Sequence, residues 1–238
     1  KKENGKYYTP PEIVRILKLK KGSPIFKIFY DPRLAFASGN TRTYKKENFI
    51  VSIVDDEKYE TLFLYSNLNK EAIINSSETT LNENIYFVIS YNEKINLPNI
   101  EKVFFELDQT KVYWKSWCYK TPSFESYNDE ILRSAMTLKL LNFEKTGAII
   151  AAATTSIPEA IGEERNWDYR FCWIRDASMV IKIITKLGHK KIVKNFIDFI
   201  VNLIPDKNEK LQIMYGISGE KNLTEKILDH FAGYQNSK

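Results

Sequence analysis

Eleven consecutive residues, Asn166-Trp167-Asp168-Tyr169-Arg170-Phe171-Cys172-Trp173-Ile174-Arg175-Asp176, hold the densest mixture of aromatic rings and opposed charges in the chain. Tyr169, Trp173 and Asp176 stand at i, i+4 and i+7, so a helix opening here would set two rings beside a carboxylate on one face. Such a face suits a sugar. Ring faces stack on the apolar side of a pyranose, and a buried Arg–Asp pair such as Arg175–Asp176 donates to and accepts from vicinal hydroxyls in fixed geometry. A plainer reading competes with it: rings at helical spacing commonly belong to a core, and a neighbouring Arg and Asp commonly form a solvated pair.

The rest of the composition narrows the alternatives. With 238 residues, 43% hydrophobic and 27% charged, the chain can bury a core of one or two globular domains. No apolar run is long enough to cross a bilayer, so no membrane partner is expected. The formal charge of +5 is spread over many lysines, and the compact basic cluster Lys18-Leu19-Lys20-Lys21 beside Gly22 fits a solvated turn. No basic face with aromatic platforms emerges, which argues against nucleic acid. Cys118 and Cys172 are far apart and lack metal-ligand spacing, as expected of reduced thiols in a cytoplasmic protein. His189 at an expected helix end and His230 in an expected helical stretch have no partners at ligand spacing, so neither a metal nor a cofactor is expected. The opening Lys1-Lys2-Glu3-Asn4-Gly5 has neither an initiator Met nor a signal-peptide core and reads as an internal start.

From Thr9 to about Tyr91 the texture is β. Alternating segments at Phe26/Ile28/Tyr30, Phe49/Val51/Ile53, Tyr59/Thr61/Phe63/Tyr65 and Ile85/Phe87/Ile89/Tyr91 are separated by Gly22-Ser23-Pro24, Ser38-Gly39-Asn40 and Asp55-Asp56. An antiparallel β-sandwich over 1–97 is expected. After Pro98 the period changes, and Val103, Leu107, Thr110, Trp114 and Trp117 predict an amphipathic helix within a linker at 98–125. A helix from about Ser126 to Leu141 follows, with Asp129 and Glu130 in its first turn and Ile131, Ala135, Leu138 and Leu141 as its buried stripe. The next helix is expected to start near Phe171 and to stop at Gly188. Lys190 to Ile204 predicts another, with two apolar stripes, Ile192/Phe196/Phe199/Leu203 and Val193/Ile197/Ile200/Ile204, ended by Pro205. Leu211 to Ser218 is expected as a loop and Leu223 to Phe231 as a last helix.

Several of these segments occur in a recognisable order. TGAIIAAATTSIPEAIG from Thr146, then RNWDYRFCWIRDAS, MYGISGEKNLTE and LDHFAGY closely resemble glycoside hydrolase family 15, the bacterial and archaeal glucoamylase and trehalase family. The resemblance is strong from about Thr146 to Tyr234 and weaker at Pro11–Arg15 and Asp31–Arg33. The chain departs from the family at one point, where Glu163 follows Gly162 in place of a second glycine.

The resemblance implies a fold of several domains, α and β: the β-sandwich at 1–97, the helical linker at 98–125, and at 126–238 the first part of an (α/α)6 toroid. It implies an exo-acting, inverting α-glucosidase of glucoamylase type that releases glucose from non-reducing ends of an α-linked gluco-oligosaccharide. A trehalase acting on trehalose, or a non-catalytic carbohydrate-binding fragment, is the alternative. Tyr169, Trp173, Arg175 and Asp176 match the positions that hold the non-reducing glucose, with Trp167 and Arg170 as supports or simple packing residues behind them. The glutamates that serve the family as acid and base are expected beyond Lys238. Glu159, Glu163 and Glu164 read as loop charges, so no catalytic residue is assigned.

Overall fold

The computed structural model describes residues 2–3, 6–7, 10–55, 59–163, 165–204 and 210–237. The chain forms two compact units, Lys1–Tyr113 and Trp114–Lys238. Thr9, Asp56, Glu164 and Pro205, each assigned a place in the sequence reading, lie outside the described residues.

In the first unit, Lys2–Glu3 (β1) pairs with Lys6–Tyr7 (β2), and Ile25–Phe26 (β4) with Thr79–Thr80 (β8). The main sheet is antiparallel and five-stranded, formed by Glu12–Leu17 (β3), Thr41–Lys45 (β5), Ile50–Val54 (β6), Thr61–Ser66 (β7) and Ile85–Tyr91 (β9) in the order β3-β9-β7-β6-β5. Alternation along the central strands supplies two cores. Leu64, Ile85 and Phe87 pack on one face with Ile50, Leu81 and Ile73 of the short helix Lys70–Ile74 (α1). Tyr65, Tyr86 and Val88 pack on the other with Val103. Val103 belongs to the helix Ile100–Cys118 (α2), whose first turn is capped by Asn99 Oδ1 accepting from the Lys102 N–H at 2.8 Å. The expected strand through Tyr30 is only Ile25–Phe26. Phe26, Ile28 and Tyr30 still turn toward the core while Lys27 and Phe29 face out, so the alternation persists without a ladder partner beyond Phe26.

The second unit is built from Asn128–Leu140 (α3), Cys172–Trp173 (β10), Ile174–Lys186 (α4), Lys190–Leu203 (α5) and Met214–Tyr215 (β11). Its core joins Ile149, Cys172, Ala177, Ile184 and Tyr215 to Ile192, Phe196, Phe199 and Leu203, which is the first stripe expected on α5. The second stripe is only half-buried, and its Ile197 is exposed. Gly147, at φ +91°, lets the chain pass α5: a Cβ there would lie 2.3 Å from the Asn195 carbonyl oxygen. Gly188, at φ +79°, ends α4 as expected. The His189 N–H donates to the Ile184 carbonyl at 3.2 Å and the Gly188 N–H to the Thr185 carbonyl at 3.0 Å, the paired closure that a left-handed glycine permits.

Leu223–Phe231 is not helical, and His230 lies in a turn. Most of this stretch is exposed, so its apolar residues have no face to pack against, and an isolated helix of that length is unstable without one.

Candidate functional site

The segment leading to the ring cluster is held by the irregular stretch 151–156 rather than by its own helix. The Ala151 N–H donates to the Phe171 carbonyl at 3.1 Å, the Ala152 N–H to the Tyr169 carbonyl at 2.8 Å and the Ser156 N–H to the Trp167 carbonyl at 2.8 Å, and Thr155 bridges Asp168. Cys172 and Trp173 then pair with Tyr215 and Met214, and the Ile174 N–H donates to the Ile213 carbonyl at 3.0 Å. These bonds claim the backbone at Asp168 and at Cys172–Trp173 for extended pairing, with a turn at Tyr169–Arg170 between them. Helix α4 therefore begins at Ile174 and not near Phe171, with Trp173 extended at φ −74°, ψ 119° as the residue before it. The single helical face expected for Tyr169, Trp173 and Asp176 does not form.

The same residues nevertheless meet by another route. The Trp173 ring is flanked by Trp167 and Tyr169, each with its centroid 6.3 Å away and at interplanar angles of 87° and 72°. The Arg175 guanidinium carbon lies 5.9 Å from the Trp173 ring centroid. Edge-to-face rings and a cation beside an indole attract through the ring quadrupole, which holds the cluster in register. Tyr169 and Trp173 are half-buried and Trp167 is exposed, so the rings form a notch open to solvent. Both indole N–H groups are engaged inside the protein: Trp173 Nε1 donates to the Asp168 carbonyl at 2.9 Å, and Trp167 Nε1 to Glu159 Oε1 at 2.7 Å.

Arg175 and Asp176 are paired, through Nε at 3.2 Å and Nη2 at 3.1 Å to the same Oδ2. Of the two readings of this pair the plainer, solvated one agrees with the structure: the side chains are 67% and 34% exposed. The first turn of a helix projects outward here, so both groups keep water until something displaces it, and Asp176 still sits where the helix dipole favours a carboxylate.

Asp168 and Arg170 form a tighter clamp. Arg170 Nε lies 3.0 Å from Oδ1 and Nη2 lies 2.7 Å from Oδ2, while the Arg170 backbone N–H donates to Oδ1 at 2.9 Å. Burial alone would push the Asp168 carboxyl up, but the Arg170 hydrogen bonds and charge outweigh it and hold the group below the usual carboxylate range. Arg170, in turn, is held more firmly protonated by that hydrogen bond.

Glu163 causes no strain where it replaces the expected glycine. Among the described residues of this loop the positive φ angles fall at Gly162 (+85°) and Arg165 (+79°). Glu159 is more than a loop charge, since it also lies 3.7 Å from Arg165 Nη1. The roles of Glu159, Ser156 and Asp168 were invisible to helical spacing. Asp168 two residues before Arg170, the spacing of an Asx turn, is a local signal. Among the described residues no group of His, Cys, Asp and Glu could hold a metal ion. An open groove in the first unit, bordered by Lys46, Asn67 and Lys70, carries no aromatic ring and offers no comparable platform.

A sequence model described as glycosyl hydrolases family 15 matches residues 125–238 and so contains the whole notch. Over residues 125–238 the chain is similar to that family. Relatives match over more of the chain. A trehalase of Thermoplasma volcanium is 39% identical over 137 residues, which is 58% of this chain and 22% of the relative. A trehalase of Mycolicibacterium smegmatis is 34% identical over 67% of this chain and 24% of its own length. Trehalase 2 of Sulfolobus acidocaldarius is 28% identical over 97% of this chain and 41% of its own length, so that alignment reaches the sheet unit as well. The chain thus spans between 22% and 41% of the length of these relatives. No solved structure matches it. Among the described residues no helix is long and apolar enough to cross a membrane.

Proposed function

We propose that this chain is the sheet unit and the sugar-gripping part of a family 15 glycoside hydrolase of trehalase type. The observation that carries the reading is the open notch of Trp167, Tyr169 and Trp173 beside the Arg175–Asp176 pair, inside the segment that matches the family. Trehalose is favoured over a gluco-oligosaccharide because the relatives above are named trehalases. In this reading 126–238 begins an (α/α)6 toroid, 98–125 is its linker and 1–97 a sandwich domain. The free thiols Cys118 and Cys172 support a cytoplasmic setting.

The non-reducing glucose would lie with its apolar face on Trp173 and Tyr169. Its hydroxyls would replace water on Arg175 and Asp176, whose shared Oδ2 contact leaves the other carboxylate oxygen free to accept. Trp167 and Arg170 support the rings. Hydrolysis with inversion needs an acid and a base about 6.5–9.5 Å apart. Asp168, held ionised by Arg170, is unsuited to donate a proton, and neither role is assigned to this chain.

The test is hydrolysis of trehalose and maltose by the full-length protein, followed by early proton NMR. Trehalose turnover with β-glucose released alongside α-glucose at the start supports the reading. Turnover of maltose alone shifts it to glucoamylase, and glucose binding without turnover leaves a carbohydrate-binding role.

A further inference from the structure

Among the described residues, Glu159 is the carboxylate beside the notch whose partner is an indole. It accepts from Trp167 Nε1 at 2.7 Å and faces Arg165 at 3.7 Å. The Trp167 backbone is pinned independently, its N–H donating to Ser156 Oγ and its carbonyl accepting from the Ser156 N–H, both at 2.8 Å. With the backbone fixed, the remaining freedom of Trp167 is rotation of its side chain. A hydrogen bond at the far edge of the indole stops that rotation at the 87° angle to Trp173. Resting on the trehalase-type reading, we propose that Glu159 is a positioning residue that fixes Trp167 as the outer wall of the sugar notch. Because the Trp173 N–H is also engaged, at the Asp168 carbonyl, both indoles meet a ligand with carbon only. The occupant is thus a pyranose that presents an apolar face to Trp173 and an apolar edge to Trp167, and its hydroxyls are read by charged side chains.

The experiment uses the full-length protein and three variants, Glu159→Ala, Glu159→Gln and Trp167→Phe, with trehalose kinetics and the 15N-indole spectrum as readouts. The Trp167 N–H signal is identified by its loss in Trp167→Phe. Glu159→Ala should move that signal and raise KM about ten-fold with kcat within about two-fold, because a wall contacts the ground state and the transition state alike. Glu159→Gln keeps an acceptor and should bring KM back to within about three-fold of the wild type. An unchanged KM in Glu159→Ala overturns the proposal. So does a loss of kcat above about a hundred-fold in both Glu159 variants, which would make the carboxyl a proton-transfer group. Should Glu159→Ala fail to fold, Trp167→Phe, which keeps a ring and frees Glu159, must raise KM in the same direction, and an unchanged KM there overturns the proposal. If the wild type hydrolyses neither trehalose nor maltose, the glycosidase reading falls by itself. The wall is then judged by glucose titration, and a Trp167 indole signal indifferent to glucose removes it too.

Discussion

In the sheet unit, Tyr65 and Tyr86 are 1% and 3% exposed, and their hydroxyls bond inward, Tyr86 donating to the Pro98 carbonyl at 2.6 Å and Tyr65 accepting from the Ile95 N–H at 3.1 Å. Burial pushes both phenols above the ordinary tyrosine range. In the helical unit, Tyr169, in a turn, and Trp173, in a two-residue strand, stay half-buried, steadied by Trp167, Asp168 and the strand Met214–Tyr215. Aromatic density alone therefore does not mark a site. The strands β7 and β9 hold their rings by a continuous ladder that any alternating sequence can form. The notch holds its rings partly by particular side chains, Glu159 on Trp167 among them, that can be removed singly.

The comparison breaks most forcefully at Phe196. Its truncation, Phe196→Ala, empties the core behind α4 and α5 and should cost about 3–5 kcal/mol, read as a lower denaturant midpoint for the helical unit. Next in size is Asp176→Ala. Because the Arg175–Asp176 pair is solvated without ligand, the loss should leave folding within about 1 kcal/mol of wild type. Once sugar displaces the water, the missing acceptor should cost about 2–4 kcal/mol of transition-state binding, seen as a fall in kcat/KM for trehalose. Near-normal hydrolysis would remove Asp176 from the site.

A matched pair of smaller changes sharpens the contrast. Tyr86→Phe should cost about 1 kcal/mol of stability and leave sugar turnover alone, since it strands the buried Pro98 carbonyl. Tyr169→Ala, which removes a half-buried ring on which the sugar would stack, should do the reverse, and calorimetry with trehalose kinetics on both variants reads the crossing. The mildest effect concerns His189, which is buried, stacked 4.0 Å from Trp117 and bonded through Nε2 to Thr121 Oγ1 at 2.9 Å. Burial first, and then the charges of Lys120 and Lys139, lower its pKa in the folded state. As pH falls through about 6.5 the unfolded chain takes up this proton before the folded one, so stability declines until the folded value is also passed. Melting temperatures measured between pH 7 and 5 should show a drop that His189→Gln reduces.

Local periodicity made much of the fold legible. The Ile192/Phe196/Phe199/Leu203 stripe, the alternation of Ile85 to Tyr91 and the glycine stop at Gly188 each depend on near neighbours, and the structure has all three. Two failures have a common cause. Tyr169 and Trp173 imitate a helical face, but the backbone of 172–173 belongs to Met214–Tyr215, roughly forty residues away, and no local pattern announces that pairing. Leu223–Phe231 carries helical spacing and has nothing to pack against. The site residues were legible by type and order, whereas the Glu159 and Asp168 attachments depend on how loops close in space.

Cys172 stands next to Trp173, fully buried in the two-residue ladder with Tyr215, and burial pushes its thiol up, against a weaker opposing hydrogen bond at Ile149. A thiol in that position cannot meet an alkylating reagent until the ladder parts. Its labelling rate is therefore a clock for the opening of the notch floor, read by mass spectrometry without any engineered probe, while the half-buried Cys118 provides a second label on the same chain. A bound sugar that braces Trp173 should slow the Cys172 clock and leave Cys118 keeping its own time.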